Sequence, residues 1–217
     1  MNAVLLPHKP DRYGPSPIDR LLRIAAYVLI LVPSIVLALG NRPAPANTPT
    51  QVTGFGQNPG NLAMFKYVPA NLPANRPLVV ALHGCSQAAN AYDDETGWVK
   101  FADKHGFALL LPQAQENVFK CFRWFEAGHI ERDQGEALSI RQMIEKMKAD
   151  HQIDPQRIFI TGLSAGGGMT AVMMAAYPEV FAGGAVIAGI PYKCATTGND
   201  ATKCGVGVFG QLGQLAP

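Results

Sequence analysis

Five residues, Gly162-Leu163-Ser164-Ala165-Gly166, constrain this chain more than any other stretch. They follow Arg157-Ile158-Phe159-Ile160-Thr161, a β-branched and aromatic run that reads as a strand, and they lead into residues 165–177, which read as a helix. A strand that becomes a helix across so few residues must turn sharply enough to strain the serine backbone. Side chains two positions to either side would collide with the neighbouring helix and strand, and glycine at 162 and 166 removes the β-carbons that would clash. Ser164 Oγ is then held up at the carboxyl end of a sheet. The Ala165 amide, at the new helix N-terminus, faces any oxyanion that develops there. Gly-x-Ser-x-Gly alone is common by chance; the strand before it and the helix after it make this one informative.

Elsewhere the chain alternates strands and helices, the pattern of an α/β fold with a parallel sheet. Residues 62–69 read as an early strand, 71–76 as a Pro/Asn turn, and 77–82 as a continuous apolar run of the kind buried on both faces. Residues 94–105 are predicted helical, and 107–111 form a second buried strand ending at Pro112. A long irregular segment, 113–132, carries Phe119, Phe122, Trp124 and Phe125. The best helix is 133–150, with Ile140, Met143, Ile144 and Met147 on one face and Asp133 and Glu136 at capping-box spacing. A strand at 182–188 follows the elbow helix, and beyond Gly189 periodicity is lost. The expected fold is a mostly parallel sheet with flanking helices, and the serine turn within it resembles the nucleophile elbow of α/β-hydrolases.

In that fold the acid and the histidine base follow the serine. Here all five histidines (His8, His83, His105, His129 and His151) precede Ser164, and only Glu179 and Asp200 are acidic after it. The chain therefore carries a nucleophile without its base. His83-Gly84-Cys85 follows the strand 77–82, where this fold places its second oxyanion donor; the Cys85 amide is the first candidate and Ser86 the second. Chain order assigns His83 a structural role. The pair Trp124-Phe125 either lines an acyl or polymer groove or fills core beneath the loop. Asp133 and Glu136 are read as caps rather than catalysts.

Composition excludes other classes. A net charge of +2 and no basic cluster interleaved with aromatics give no footprint for nucleic acid. No Cys/His spacing suits zinc and no Gly-rich phosphate loop is present, so neither metal nor cofactor is expected. With 48% hydrophobic and 16% charged residues, the 217-residue chain can bury one sizeable core plus appendages. Residues 1–50 are expected to be such an appendage. An uncharged apolar run at 24–40, behind Arg20 and Arg23 and ahead of a Pro-rich stretch, reads as a secretory signal cleaved after Gly40 or Ala46, or as an uncleaved membrane anchor. Either way the domain from residue 51 to 217 is exported. In an oxidising compartment Cys85, Cys121, Cys194 and Cys204 are expected to form two disulfides. Cys194 and Cys204 share one loop and are natural partners, which leaves Cys85 for Cys121.

Several of these stretches carry a family resemblance. Phe55-Gly-Gln-Asn-Pro-Gly-Asn-Leu62, Leu82-His-Gly-Cys-Ser-Gln87, Cys121-Phe-Arg-Trp-Phe125, Gly162-Leu-Ser-Ala-Gly-Gly167 and Ala188-Gly-Ile-Pro-Tyr-Lys-Cys-Ala195 resemble the PHB depolymerase family of esterases. The resemblance spans residues 53–205. It implies a secreted α/β-hydrolase that cleaves esters of short hydroxyacids, with Ser164 as nucleophile. Related feruloyl and acetylxylan esterases share the pattern, so an insoluble polyester and a plant polysaccharide are both implied substrates. The family's Asp and His lie in later strands that this sequence lacks. Two expectations account for that: a chain truncated after the strand that follows the elbow, or an inactive homologue that binds without hydrolysing.

Overall fold

The computed structural model describes residues 48–115, 119–197, 200, 201 and 204. Of the expected appendage over residues 1–50 only 48–50 are described, Thr50 already within the sheet, while its apolar run 24–40 and both cleavage positions lie outside the described residues. Among the described residues no helix is long and apolar enough to cross a membrane.

Six strands, β1 (Thr50–Val52), β2 (Ala63–Tyr67), β3 (Leu78–Leu82), β4 (Ala108–Gln113), β5 (Ile158–Leu163) and β6 (Gly183–Ile187), form one sheet in the order β1-β2-β4-β3-β5-β6. The β1/β2 and β2/β4 pairs are antiparallel, and β4/β3, β3/β5 and β5/β6 are parallel. The helices that can be bounded among the described residues are α1 (Ala89–Thr96), α2 (Trp98–His105), α3 (Ala127–Ile130), α4 (Gly135–His151) and α5 (Ala165–Ala176).

The apolar run of β3 is divided between two cores by the two-residue period of a strand. Leu78, Val80 and Leu82 join Ile140, Met143 and Met169 in the core beneath α4 and α5. Val79 and Ala81 face the second core, built with Ala89, Val99 and Ala102 of α1 and α2. Helices cover both faces at the sheet centre, as a parallel sheet requires. That cover runs out at β6, where Val186 and Ile187 are 42% and 49% exposed.

Four local expectations are corrected. The helix expected over 94–105 starts earlier and is two helices, because Gly97 adopts φ +75°, a left-handed conformation that ends α1 with its N–H on Asp93 O at 2.6 Å. The Asp93 carboxylate then accepts the Val99 N–H at the start of α2. Pro112 lies inside β4, paired with Met64, where the β3 ladder has already ended at Leu110. The capping box does not form. Asp133 sits at φ +61° with its N–H on Tyr177 Oη, and the buried Glu136 carboxylate turns away from the helix axis to accept the Arg123 N–H at 2.7 Å. Finally, β1 was not expected; three mostly exposed residues carry too little pattern to read.

Candidate active site

Ser164 joins β5 to α5 with φ 55° and ψ −116°, a conformation that L-residues rarely adopt and that needs support from its surroundings. The two flanking glycines supply it by their emptiness. A β-carbon on Gly162 would overlap the Gly166 carbonyl, and one on Gly166 would overlap the Leu82 and His83 carbonyls at the end of β3. The Ser164 N–H donates to Ile187 O of β6 at 2.9 Å, and its own carbonyl takes the first helical N–H, from Gly168. The serine side chain is exposed. Two neighbouring amides, Ala165 at the N-terminus of α5 and Cys85 after β3, are hydrogen-bonded to nothing among the described residues.

The segment Leu82 to Cys85 lies against this turn. A β-carbon on Gly84 would stand 3.6 Å from Ser164 Cβ and 3.5 Å from Leu163 O. His83 is completely buried and stacks at a tilt on Phe122, with ring centroids 4.8 Å apart. Its partners fix its tautomer. Nδ1 faces the Gly84 carbonyl at 2.7 Å and must carry the proton, while Nε2 accepts the Ala114 N–H at 3.1 Å. Both ring nitrogens are committed, so His83 has no lone pair for a serine hydroxyl. Holding the Gly84 carbonyl also fixes the planar peptide it belongs to, so that the Cys85 N–H on the opposite edge points away from the His83 ring.

Burial lowers the His83 pKa, and nearby Lys120 lowers it further, against the opposing pull of the Gly84 carbonyl. A group whose pKa falls on folding is protonated first in the unfolded chain, so stability is lost as pH drops below about 6.5. We expect the melting temperature to decline between pH 7 and pH 5, and to decline less in His83→Asn. An unchanged slope in that variant would contradict the assignment.

The remaining described histidines are occupied elsewhere: His105 stacks on Phe101, His129 takes Arg123 Nη1 at 3.1 Å, and His151 takes Lys66 Nζ at 2.8 Å. Among the described residues, none of the four hydrogen-bonds to Ser164.

Both disulfides are present, Cys85 with Cys121 and Cys194 with Cys204. The first ties the amide beside Ser164 to the aromatic loop, reinforced by the Ser86 N–H on Phe119 O at 2.5 Å. Trp124 and Phe125 meet edge to face at 5.3 Å and pack on Ile190, Ala195 and Cys204. Trp124 also lies on α5, where Gly168 has no side chain; a β-carbon there would fall 2.7 Å from the indole. These aromatics are partly buried joints between loops. Two residues that sequence reasoning passed over belong to the site's surroundings: Gln87, whose side chain accepts the Gly84 N–H at 2.7 Å, and Glu95, which accepts from Gln87. Gln87 ends the family-like stretch Leu82-His-Gly-Cys-Ser-Gln87, three residues beyond Gly84, but nothing local to the sequence marks its partners.

A parallel-centred sheet with a strained serine at the strand-to-helix turn beneath a free helix-terminal amide defines the α/β-hydrolase class. Within that class, residues 62–204 match the model of the esterase PHB depolymerase family, and the chain belongs to that family. It is 56% identical over 178 residues to a poly(3-hydroxyalkanoate) depolymerase C from Paucimonas lemoignei, covering 81% of this chain and 42% of that protein. It is 36% identical over 146 residues to feruloyl esterase B of Talaromyces funiculosus, covering 67% and 41%. The solved acetyl xylan esterase from Aspergillus awamori superposes with a TM-score of 0.67 at 31% identity, over 70% of this chain and 56% of that one. The chain thus spans about half the length of the relatives it matches.

Proposed function

We propose that this chain is the nucleophile-bearing part of an exported serine esterase. Ser164 Oγ adds to an ester carbonyl, the resulting oxyanion is received by the Cys85 and Ala165 amides, and the alcohol leaves with a proton to give an acyl-enzyme that water then hydrolyses. The observation that supports this best is the Ser164 backbone, held at φ 55° by contacts that only glycine at 162 and 166 permits. The serine proton needs an acceptor that none of the four described histidines provides. In the family pattern that acceptor is a histidine downstream of the elbow.

Similarity to a poly(3-hydroxyalkanoate) depolymerase favours esters of short hydroxyacids, including an insoluble polyester, as substrate. A second reading, an acyl ester on a plant polysaccharide, draws on the likeness to the solved acetyl xylan esterase. Product analysis separates them: soluble hydroxyacid in the first case, acetate or ferulate in the second. Two disulfides fit an oxidising compartment, in keeping with export through the N-terminal leader.

The test is covalent. On a longer version that carries the downstream histidine, a fluorophosphonate probe followed by peptide mass mapping is expected to place one adduct on Ser164 and none on Ser164→Ala. An equal adduct in the variant, or none in the parent, would refute the assignment. Without a positioned base the 217-residue chain is expected to turn over p-nitrophenyl butyrate at a residual level only, on the order of 10³-fold over water. Robust turnover would point to a base among His83 or His129. Saturable binding of polyester granules without product would instead identify a homologue that binds and does not hydrolyse.

A further inference from the structure

We infer that Gln87 and Glu95 form a positioning pair for the oxyanion-binding peptide, with Glu95 deciding which end of the Gln87 amide faces Gly84 and Gln87 thereby aiming the Cys85 N–H. The inference rests on the role proposed above for Ser164 and Cys85, and it concerns residues that do not touch substrate.

Gly84 lies against Ser164, where a β-carbon would make only ordinary contact, and glycine is the residue with the widest choice of backbone conformation. Left alone, the peptide between Gly84 and Cys85 would rotate. It is held instead at its own carbonyl and, across the Gly84 α-carbon, through the N–H of the preceding peptide. The Gly84 carbonyl accepts from His83 Nδ1 at 2.7 Å, and the Gly84 N–H donates to Gln87 Oε1 at 2.7 Å. The glutamine amide packs so closely that a β-carbon on Gly84 would stand 3.0 Å from Oε1.

A glutamine side chain can present either its oxygen or its NH₂, and only the oxygen can receive the Gly84 N–H. Glu95 settles the choice. Its carboxylate is purely an acceptor, and it takes a hydrogen bond from Gln87 Nε2. A flipped amide would set oxygen against carboxylate and NH₂ against N–H, losing both bonds together. The charge on α1 is thus transmitted through one half-buried amide to the backbone beside the nucleophile. Two further restraints surround this peptide: the Cys85–Cys121 disulfide and the Ser86 N–H on Phe119 O. With Gly84 and Ser86 amides consumed, the Cys85 N–H is the one left for a substrate oxygen.

The test uses the same histidine-bearing version as the parent and the same fluorophosphonate, measuring the saturating rate of Ser164 adduct formation and the probe concentration at half saturation. Gln87→Leu and Gln87→Glu are expected to slow the saturating rate by about tenfold or more, a misaimed donor costing less than the roughly 10²-fold of a deleted one, with half saturation unchanged. Glu95→Gln, at an exposed position that folding tolerates, is expected to slow it about threefold by freeing the flip. The exchanged pair, Gln87→Glu with Glu95→Gln, rebuilds acceptor toward Gly84 and donor toward it from position 95, and is expected to recover most of the rate. Amide exchange of Gly84 followed by NMR reports the hydrogen bond directly: fast in Gln87→Leu and Gln87→Glu, slow again in the exchanged pair. If the parent chain forms no Ser164 adduct, the proposed function falls and this inference with it. If the parent reacts and either Gln87→Leu or Glu95→Gln reacts at the parent rate, the inference alone is overturned. It is equally overturned if the exchanged pair regains a slow Gly84 amide without regaining rate.

Discussion

Gly166→Ala is expected to lose both the reactivity of Ser164 and a large part of the fold's stability. The added methyl would meet the Leu82 and His83 carbonyls, which are backbone atoms of the strand at the centre of the sheet and cannot swing aside as a side chain would. Forced overpacking of this kind costs about 3 kcal/mol or more, which for a domain of this size lowers the melting temperature by roughly 6–12 °C. Gly128→Ala is the matched control, since a β-carbon there meets nothing within 4 Å. It is expected to be neutral. Thermal unfolding and fluorophosphonate labelling of the two variants measure the contrast; near-parent behaviour of Gly166→Ala would show that the elbow is not held by this contact.

The second large effect is expected from the disulfides, and it is unequal. Chain-entropy arguments assign about 4 kcal/mol to the bridge that spans 36 residues and about 3 kcal/mol to the one that spans 10. Replacing Cys85 and Cys121 by alanine is therefore expected to destabilise more than replacing Cys194 and Cys204. The larger difference is functional. Cys85 carries the proposed oxyanion amide, so its release slows Ser164 labelling, whereas the Cys194–Cys204 bridge holds the loop beneath Ile190 and Ala195. Equal labelling by the two double variants would dissociate the first bridge from the site.

What the sequence made legible was local or periodic. The elbow could be read because strand, glycine spacing and helix sit within some twenty residues, and the buried strands because β3 and β4 are apolar at every position. The errors came where a residue's partner lies far along the chain. Glu136 has the spacing of a cap, yet its carboxylate serves the Arg123 amide, in a loop that no periodicity describes. Gly97 interrupts what composition alone presents as one helix. Trp124 was ambiguous because its packing is decided by the absence of a side chain at Gly168, on a helix forty-odd residues later. His83 was legible by chain order as a non-catalytic residue, but its actual task, fixing the Gly84 carbonyl, follows only from the tautomer that two backbone partners impose.

The hydrogen bond from the Ser164 amide to Ile187 couples the site to the sixth strand. Ile187 ends β6, which among the described residues has β5 as its one neighbour and is exposed along most of its length. Strands of this kind open and close far more often than the sheet centre, without waiting for global unfolding. An opening there would release one restraint on the Ser164 backbone and leave the close packing of Gly162 and Gly166 in place. One of the bonds that hold the reactive serine thus ends on an exposed strand, and pairing along the free side of β6 is expected to protect it.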